Sequence, residues 1–161
     1  MAIERISPRD RDWHQSSPTT LGGSECAPQV VILAIDDDTE VLNSIRRLLI
    51  REGWVVLTSS DPAEGLQLYE AHGQGIDLVL LDYFMSGLRG DEVWERLKRI
   101  NPLVRVLLMT ASDDYVPPEM LNGGLCGFVM KPATRKELLR RIRQALNHRD
   151  GPGPGRDGET E

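Results

Sequence analysis

Apolar residues in this chain come as short unbroken runs separated by longer stretches with helical spacing. The run Leu78–Leu81, with Ile76 just before it, ends abruptly in Asp82 and is bounded by Gly73, Gly75 and Gly87. A short apolar run between turn residues suits a strand buried on both faces of a parallel sheet. Val30–Ile35 is a similar run that ends in Asp36, Asp37 and Asp38, and Trp54–Thr58, Val104–Met109 and Phe128–Met130 are three more. Between the runs the period lengthens. Val41, Leu42, Ile45, Leu48 and Leu49 fall on one helix face, with Asp38 as N-cap and Gly53 as terminator. Asp61-Pro62-Ala63-Glu64 predicts a second capped helix, proline at its first position, that turns Leu66 and Tyr69 inward and stops before Gly73. A turn holding Gly87 and Gly90 leads to a third, with Val93, Trp94, Leu97 and Ile100 inward and Asn101-Pro102 stopping it. Pro117-Pro118 and Gly123-Gly124 leave the fourth helix only about a turn and a half. Thr134-Arg135-Lys136-Glu137 reads as a capping box that opens the fifth, with Leu138, Leu139, Ile142 and Leu146 inward.

Strand and helix thus alternate five times, and no internal repeat is visible. Such alternation predicts an α/β fold: a doubly wound, five-stranded parallel sheet, right-handed, with helices on both faces and a shortened fourth helix. The periodic part spans residues 29–147. Residues 1–28 mix Pro8, Pro18, Pro28, Gly22 and Gly23 with Ser and Thr and have no period, so they are expected to be a flexible tail. Residues 148–161, ending GPGPGRDGETE, are expected to be another, too short for an output domain.

Composition narrows the function classes. The 161 residues are 40% hydrophobic and 27% charged, with a net charge of −6, which does not favour a nucleic-acid surface. The basic run Arg135, Lys136, Arg140, Arg141 and Arg143 reads as a solvated helix face. Cys26 and Cys126 have no metal-type spacing and predict two reduced thiols. No apolar run reaches the roughly 18 residues of a membrane span, and no signal-peptide core is seen, so a cytoplasmic location is expected. His14, His72 and His148 have no feature that marks a phosphorylation site.

The chemistry lies at the strand ends. Asp36 and Asp37 follow the first strand, Asp82 the third, Thr110 the fourth and Lys131 the fifth. In open α/β sheets the site forms beyond these carboxyl ends. Three crowded carboxylates call for a proton or a divalent cation, and an oxygen-only site favours Mg²⁺, which typically binds together with phosphate oxygens. With Lys131 and the Thr110 hydroxyl holding a phosphoryl group in line, this is a site for an aspartyl phosphate.

The motifs IDDD, LLDYFMSG, MTA and FVMKP, in order and at strand ends, make Gln29–Asn147 resemble the receiver domains of two-component response regulators, in a stand-alone, chemotaxis-receiver-like form. The resemblance implies a flavodoxin-like sheet of order 2-1-3-4-5. It implies that Asp82 accepts a phosphoryl group from a histidine kinase or histidine phosphotransfer protein. By the same resemblance Asp37 ligates Mg²⁺ directly, Asp36 through water, and Phe84 through its backbone carbonyl. Lys131 would bind the phosphoryl group, Thr110 would move toward it, Phe128 would be the aromatic switch and Ala111 would leave access. Phe84 and Ser112 would flank the path of hydrolytic water, with Phe84 shielding the acyl phosphate by its bulk. Such a receiver is not a conventional enzyme; it signals by protein contact or onward transfer, without direct nucleic-acid or membrane contact.

Two features depart from the family pattern. Ser86 stands where proline usually follows the methionine, which predicts a looser turn. Pro117-Pro118 erodes the fourth-helix face through which many receivers dimerise, which predicts a monomer. Two other readings compete. A haloacid-dehalogenase-type phosphatase would use Asp36 as nucleophile and Asp38 as partner, but Glu40 stands where that motif wants Thr or Val, and Asp82 is left without a role. A receiver-fold interaction module that is never phosphorylated would not need Asp37, Asp82, Thr110 and Lys131.

Overall fold

The computed structural model describes residues 29–111 and 116–147. Five strands, β1 (Val31–Ile35), β2 (Val55–Ser59), β3 (Leu78–Asp82), β4 (Val106–Thr110) and β5 (Gly127–Met130), form one parallel sheet of order β2-β1-β3-β4-β5. Five helices follow them in turn: α1 (Thr39–Arg51), α2 (Pro62–His72), α3 (Gly90–Ile100), α4 (Pro118–Asn122) and α5 (Arg135–Asn147). The doubly wound parallel sheet expected from the alternation is observed, with the flavodoxin-like strand order that the resemblance implies. Both tails, with Cys26, His14 and His148, lie outside the described residues, as does Ser112.

Strand residues alternate between two cores because successive side chains point to opposite faces. Leu33, Ile35, Val79, Leu81, Val106 and Leu108 pack on one face with Tyr69 of α2, Val93, Trp94 and Leu97 of α3 and Met120 of α4. Ile32, Ala34, Leu78, Leu80, Leu107 and Met109 pack on the other with Leu42, Ile45 and Leu49 of α1 and Leu138, Leu139 and Ile142 of α5. β3 sits at the centre and every one of its residues is buried. Each fully buried leucine there contributes about 1.5–3 kcal/mol relative to exposure.

Local chemistry sets the helix ends. Asp38 accepts from the N–H groups of Glu40 and Val41, and Asp61 from those of Ala63 and Glu64, with Pro62 at the first position. Gly53 takes φ +80 just past α1, a left-handed conformation that glycine adopts at little cost. The capping box of α5 is half formed. The Thr134 hydroxyl accepts from Glu137 N–H, but the Glu137 carboxylate is taken by Arg140 and Arg141. These arginines hold its pKa down to about 2.

Three expectations need adjusting. Strands β1, β2 and β4 begin one or two residues later than the apolar runs, and at the entry of β1 Asp77 Oδ2 accepts from Val31 N–H at 2.8 Å. Ile100 is 43% exposed rather than inward. The inward stripe of α3 passes from Leu97 to Asn101, whose amide donates to the Tyr69 hydroxyl at 3.1 Å. The basic face of α5 is exposed as expected but not unpaired, since Arg135 and Arg143 both reach Glu52 at the end of α1. No helix among the described residues is long and apolar enough to cross a membrane.

Candidate functional site

β1 and β3 are neighbours in the register Ile35↔Leu81, so the residues just after that pair, Asp36 and Asp82, come side by side at one sheet edge. Both are buried, Asp36 fully and Asp82 with 4% exposed, whereas Asp37 lies at the surface. One oxygen from each of the three lies within 4.8 Å of the others. The cluster is therefore real, and its carboxylates are held in different ways.

Lys131, one residue past β5, spans the two buried carboxylates. Its Nζ donates to Asp36 Oδ2 at 2.5 Å and pairs with Asp82 Oδ1 at 2.9 Å. Its backbone N–H donates to the Thr110 carbonyl at 2.7 Å, which ties the ends of β5 and β4, and the Lys131-Pro132 bond is cis. The other oxygen of Asp36 accepts from Asp38 N–H at 2.9 Å. Burial pushes the Asp82 carboxyl above its ordinary pKa, and Lys131 only partly offsets this. For Lys131 itself burial opposes the charge, but the two carboxylates outweigh it and raise its pKa. The ammonium is thus fixed as a cation beside a carboxylate that burial disfavours as an anion.

Asp37 is held differently. Its Oδ2 accepts two bonds from Ser86, from the N–H at 2.8 Å and from the hydroxyl at 3.0 Å. The Ser86 N–H is the chief reason that its pKa falls below the ordinary carboxylate value. The looser turn expected at Ser86 is not what forms: the serine ties the loop after β3 to the loop after β1. Its departure from the usual proline was visible in the sequence, but the partner 49 positions away was not.

The other predicted residues surround this cluster without all joining it. Thr110 is fully buried at the end of β4 and is paired in the sheet with Met130. Phe84 lies on the loop two residues past Asp82; the residue is 54% exposed and its ring is edge-on to Tyr83 at 4.8 Å. Phe128 lies on β5 opposite Leu108, half-buried against the α2–α3 core.

Sequence reasoning passed over Tyr83 and Arg89. Tyr83 is fully buried, its N–H donates to Met109 O at 2.9 Å, and its hydroxyl accepts from Arg89. The Arg89 guanidinium also lies 5.3 Å from the Tyr83 ring centroid. Tyr83 pins the loop directly after Asp82, and its apolar ring next to the strand end was the available signal.

The donor set fits a hard divalent cation: three carboxylates with convergent oxygens and no sulfur or imidazole ligand among them.

Comparison with known proteins agrees with this geometry. Residues 32–143 match the response regulator receiver domain family. The chain is 30% identical over 118 residues to the chemotaxis protein CheY of Treponema pallidum, a match that covers 71% of this chain and 81% of CheY. It is 33% identical over 115 residues to the transcriptional regulatory protein AfsQ1 of Streptomyces coelicolor, covering 71% of this chain and 50% of AfsQ1. The chain therefore spans about half the length of several curated relatives that it matches. A receiver-domain crystal structure from Clostridium thermocellum superposes with a TM-score of 0.68 at 32% identity, covering 73% of this chain and 94% of that one. These matches are to receivers and not to the phosphatase reading, and Asp38, the second carboxylate of that reading, caps α1. The matched stretch runs from the second residue of β1 through β5 and takes in the acidic edge that the strands build, and the chain belongs to the receiver domains of two-component response regulators.

Proposed function

We propose that Asp82 is the phosphoacceptor of this receiver. A carboxylate oxygen of Asp82 attacks the phosphorus of a phosphohistidine on a histidine kinase or phosphotransfer protein. The P–N bond breaks as the P–O bond forms, and the imidazole leaves and takes up a proton. The observation that supports this most directly is the Lys131 ammonium at 2.9 Å from Asp82 Oδ1, a fixed cation where phosphoryl oxygens would gather. Asp37 and Asp82 would hold Mg²⁺ directly, Asp36 through water, and the Phe84 carbonyl would complete the set. The bound ion offsets the negative charge of carboxylates and phosphoryl oxygens. Thr110 and Phe128 would carry the state of Asp82 to the α4–β5–α5 face. The chain is then a self-phosphorylating substrate rather than a turnover enzyme, and its signal passes by protein contact or onward transfer.

Incubation with a phosphohistidine protein or a small phosphodonor, with and without Mg²⁺, tests this by intact mass. Wild-type protein should gain one phosphoryl group only with the metal. Asp82→Asn should gain none and Asp37→Ala almost none. Undiminished labelling of Asp82→Asn would overturn the assignment.

A further inference from the structure

Asp37 is the exposed member of the acidic trio, and its bonds to Ser86 anchor it to the opposite loop. An exposed aspartate otherwise samples several rotamers, and ordering it at the moment of metal binding costs affinity. Here two donors from one residue converge on Oδ2, at 2.8 and 3.0 Å, and Oδ1 is not engaged by Ser86. Proline at this position has neither N–H nor hydroxyl and would supply neither bond.

We infer that Ser86 is a positioning residue for the cation: it holds the Asp37 carboxylate, before any ion arrives, in the orientation in which that carboxylate ligates Mg²⁺. The inference rests on the metal-dependent reading above. Two effects of Ser86 oppose each other. Its donors withdraw some charge from Asp37, which weakens the attraction for a cation. They also remove the ordering cost, and hydrogen-bond partners of metal ligands are typically worth about 10–100-fold in affinity. Because Asp37 is exposed, water screens the lost charge strongly. Ordering therefore wins, and Ser86 tightens binding.

Calorimetric titration of the full chain with MgCl₂ tests this without any phosphodonor. Ser86→Pro, which removes both donors, should bind Mg²⁺ about 10–100-fold more weakly than wild type. Ser86→Ala, which keeps the N–H, should fall between, and Ser86→Thr, which keeps both donors, should match wild type. Circular dichroism and thermal melting check that each variant folds; if Ser86→Pro does not, the Ala and Thr variants decide. Folded Ala and Pro variants that bind as tightly as wild type, or more tightly, overturn the inference and leave the proposed function standing. A wild-type chain that binds no Mg²⁺ overturns both.

Discussion

Phe84 and Asp82 share one loop, yet their environments differ sharply. Asp82 is 4% exposed, and Phe84, two residues on, is 54% exposed with its ring against Tyr83. The Phe84 side chain has no donor or acceptor with which to orient a water molecule toward an acyl phosphate. Water-positioning and acid–base groups typically contribute about 10²–10⁴-fold, so their absence should be visible in the decay rate. Phosphorylated wild-type protein is expected to lose its label slowly, and Phe84→Asn to lose it faster. The time course of label loss by intact mass checks both. Decay within seconds in wild type, or an unchanged rate in Phe84→Asn, would show that another group positions the water.

At the scale of elements, α3 docks against the end of β3 through a glycine. A Cβ on Gly90 would lie 2.8 Å from the Asp82 carbonyl oxygen and 2.8 Å from Tyr83 Cα, both backbone atoms. The Gly90 N–H donates to the Tyr83 carbonyl at 3.0 Å, so the close approach is also a bond. Gly90→Ala should destabilise the protein by about 1–3 kcal/mol in urea denaturation, the usual cost of overpacking. Gly75→Ala is the control, since nothing lies within 4 Å of its Cβ. Equal stability of the two variants would refute this account of the β3–α3 junction. The same elements show what could be read from sequence. The Asp38 and Asp61 caps and the proline start of α2 were legible because their partners lie two or three residues away. Asp36, Asp37, Asp82 and Lys131 were legible as strand ends, since strand order alone brings them together. The inward turn of Asn101, the Glu52 pairs and the Ser86–Asp37 bonds depend on partners 32 to 91 positions away, and no local pattern encodes them.

At the scale of the whole molecule, the shortest helix covering the sheet is α4. Opposite α1 and α5, each 13 residues long, the third cover element, α4, has five residues between Pro117 and Gly123. Its end packs closely: a Cβ on Gly123 would lie 2.5 Å from the tip of the Trp94 ring, so α4 rests directly on α3. Five helical residues span about 7.5 Å and offer one large apolar side chain outward, Leu121 at 41% exposure. A stable interface needs about 800 Å² from each partner, which so short a helix supplies poorly. The chain is therefore expected to remain a monomer when beryllofluoride and Mg²⁺ mimic the phosphoryl group. Multi-angle light scattering at tens of micromolar protein, with and without the mimic, measures this directly. A dimer whose hydrogen exchange is protected over residues 120–125 would show that the eroded helix still serves as an interface. A single monomeric species in both conditions would leave the signal to be read by a different partner protein.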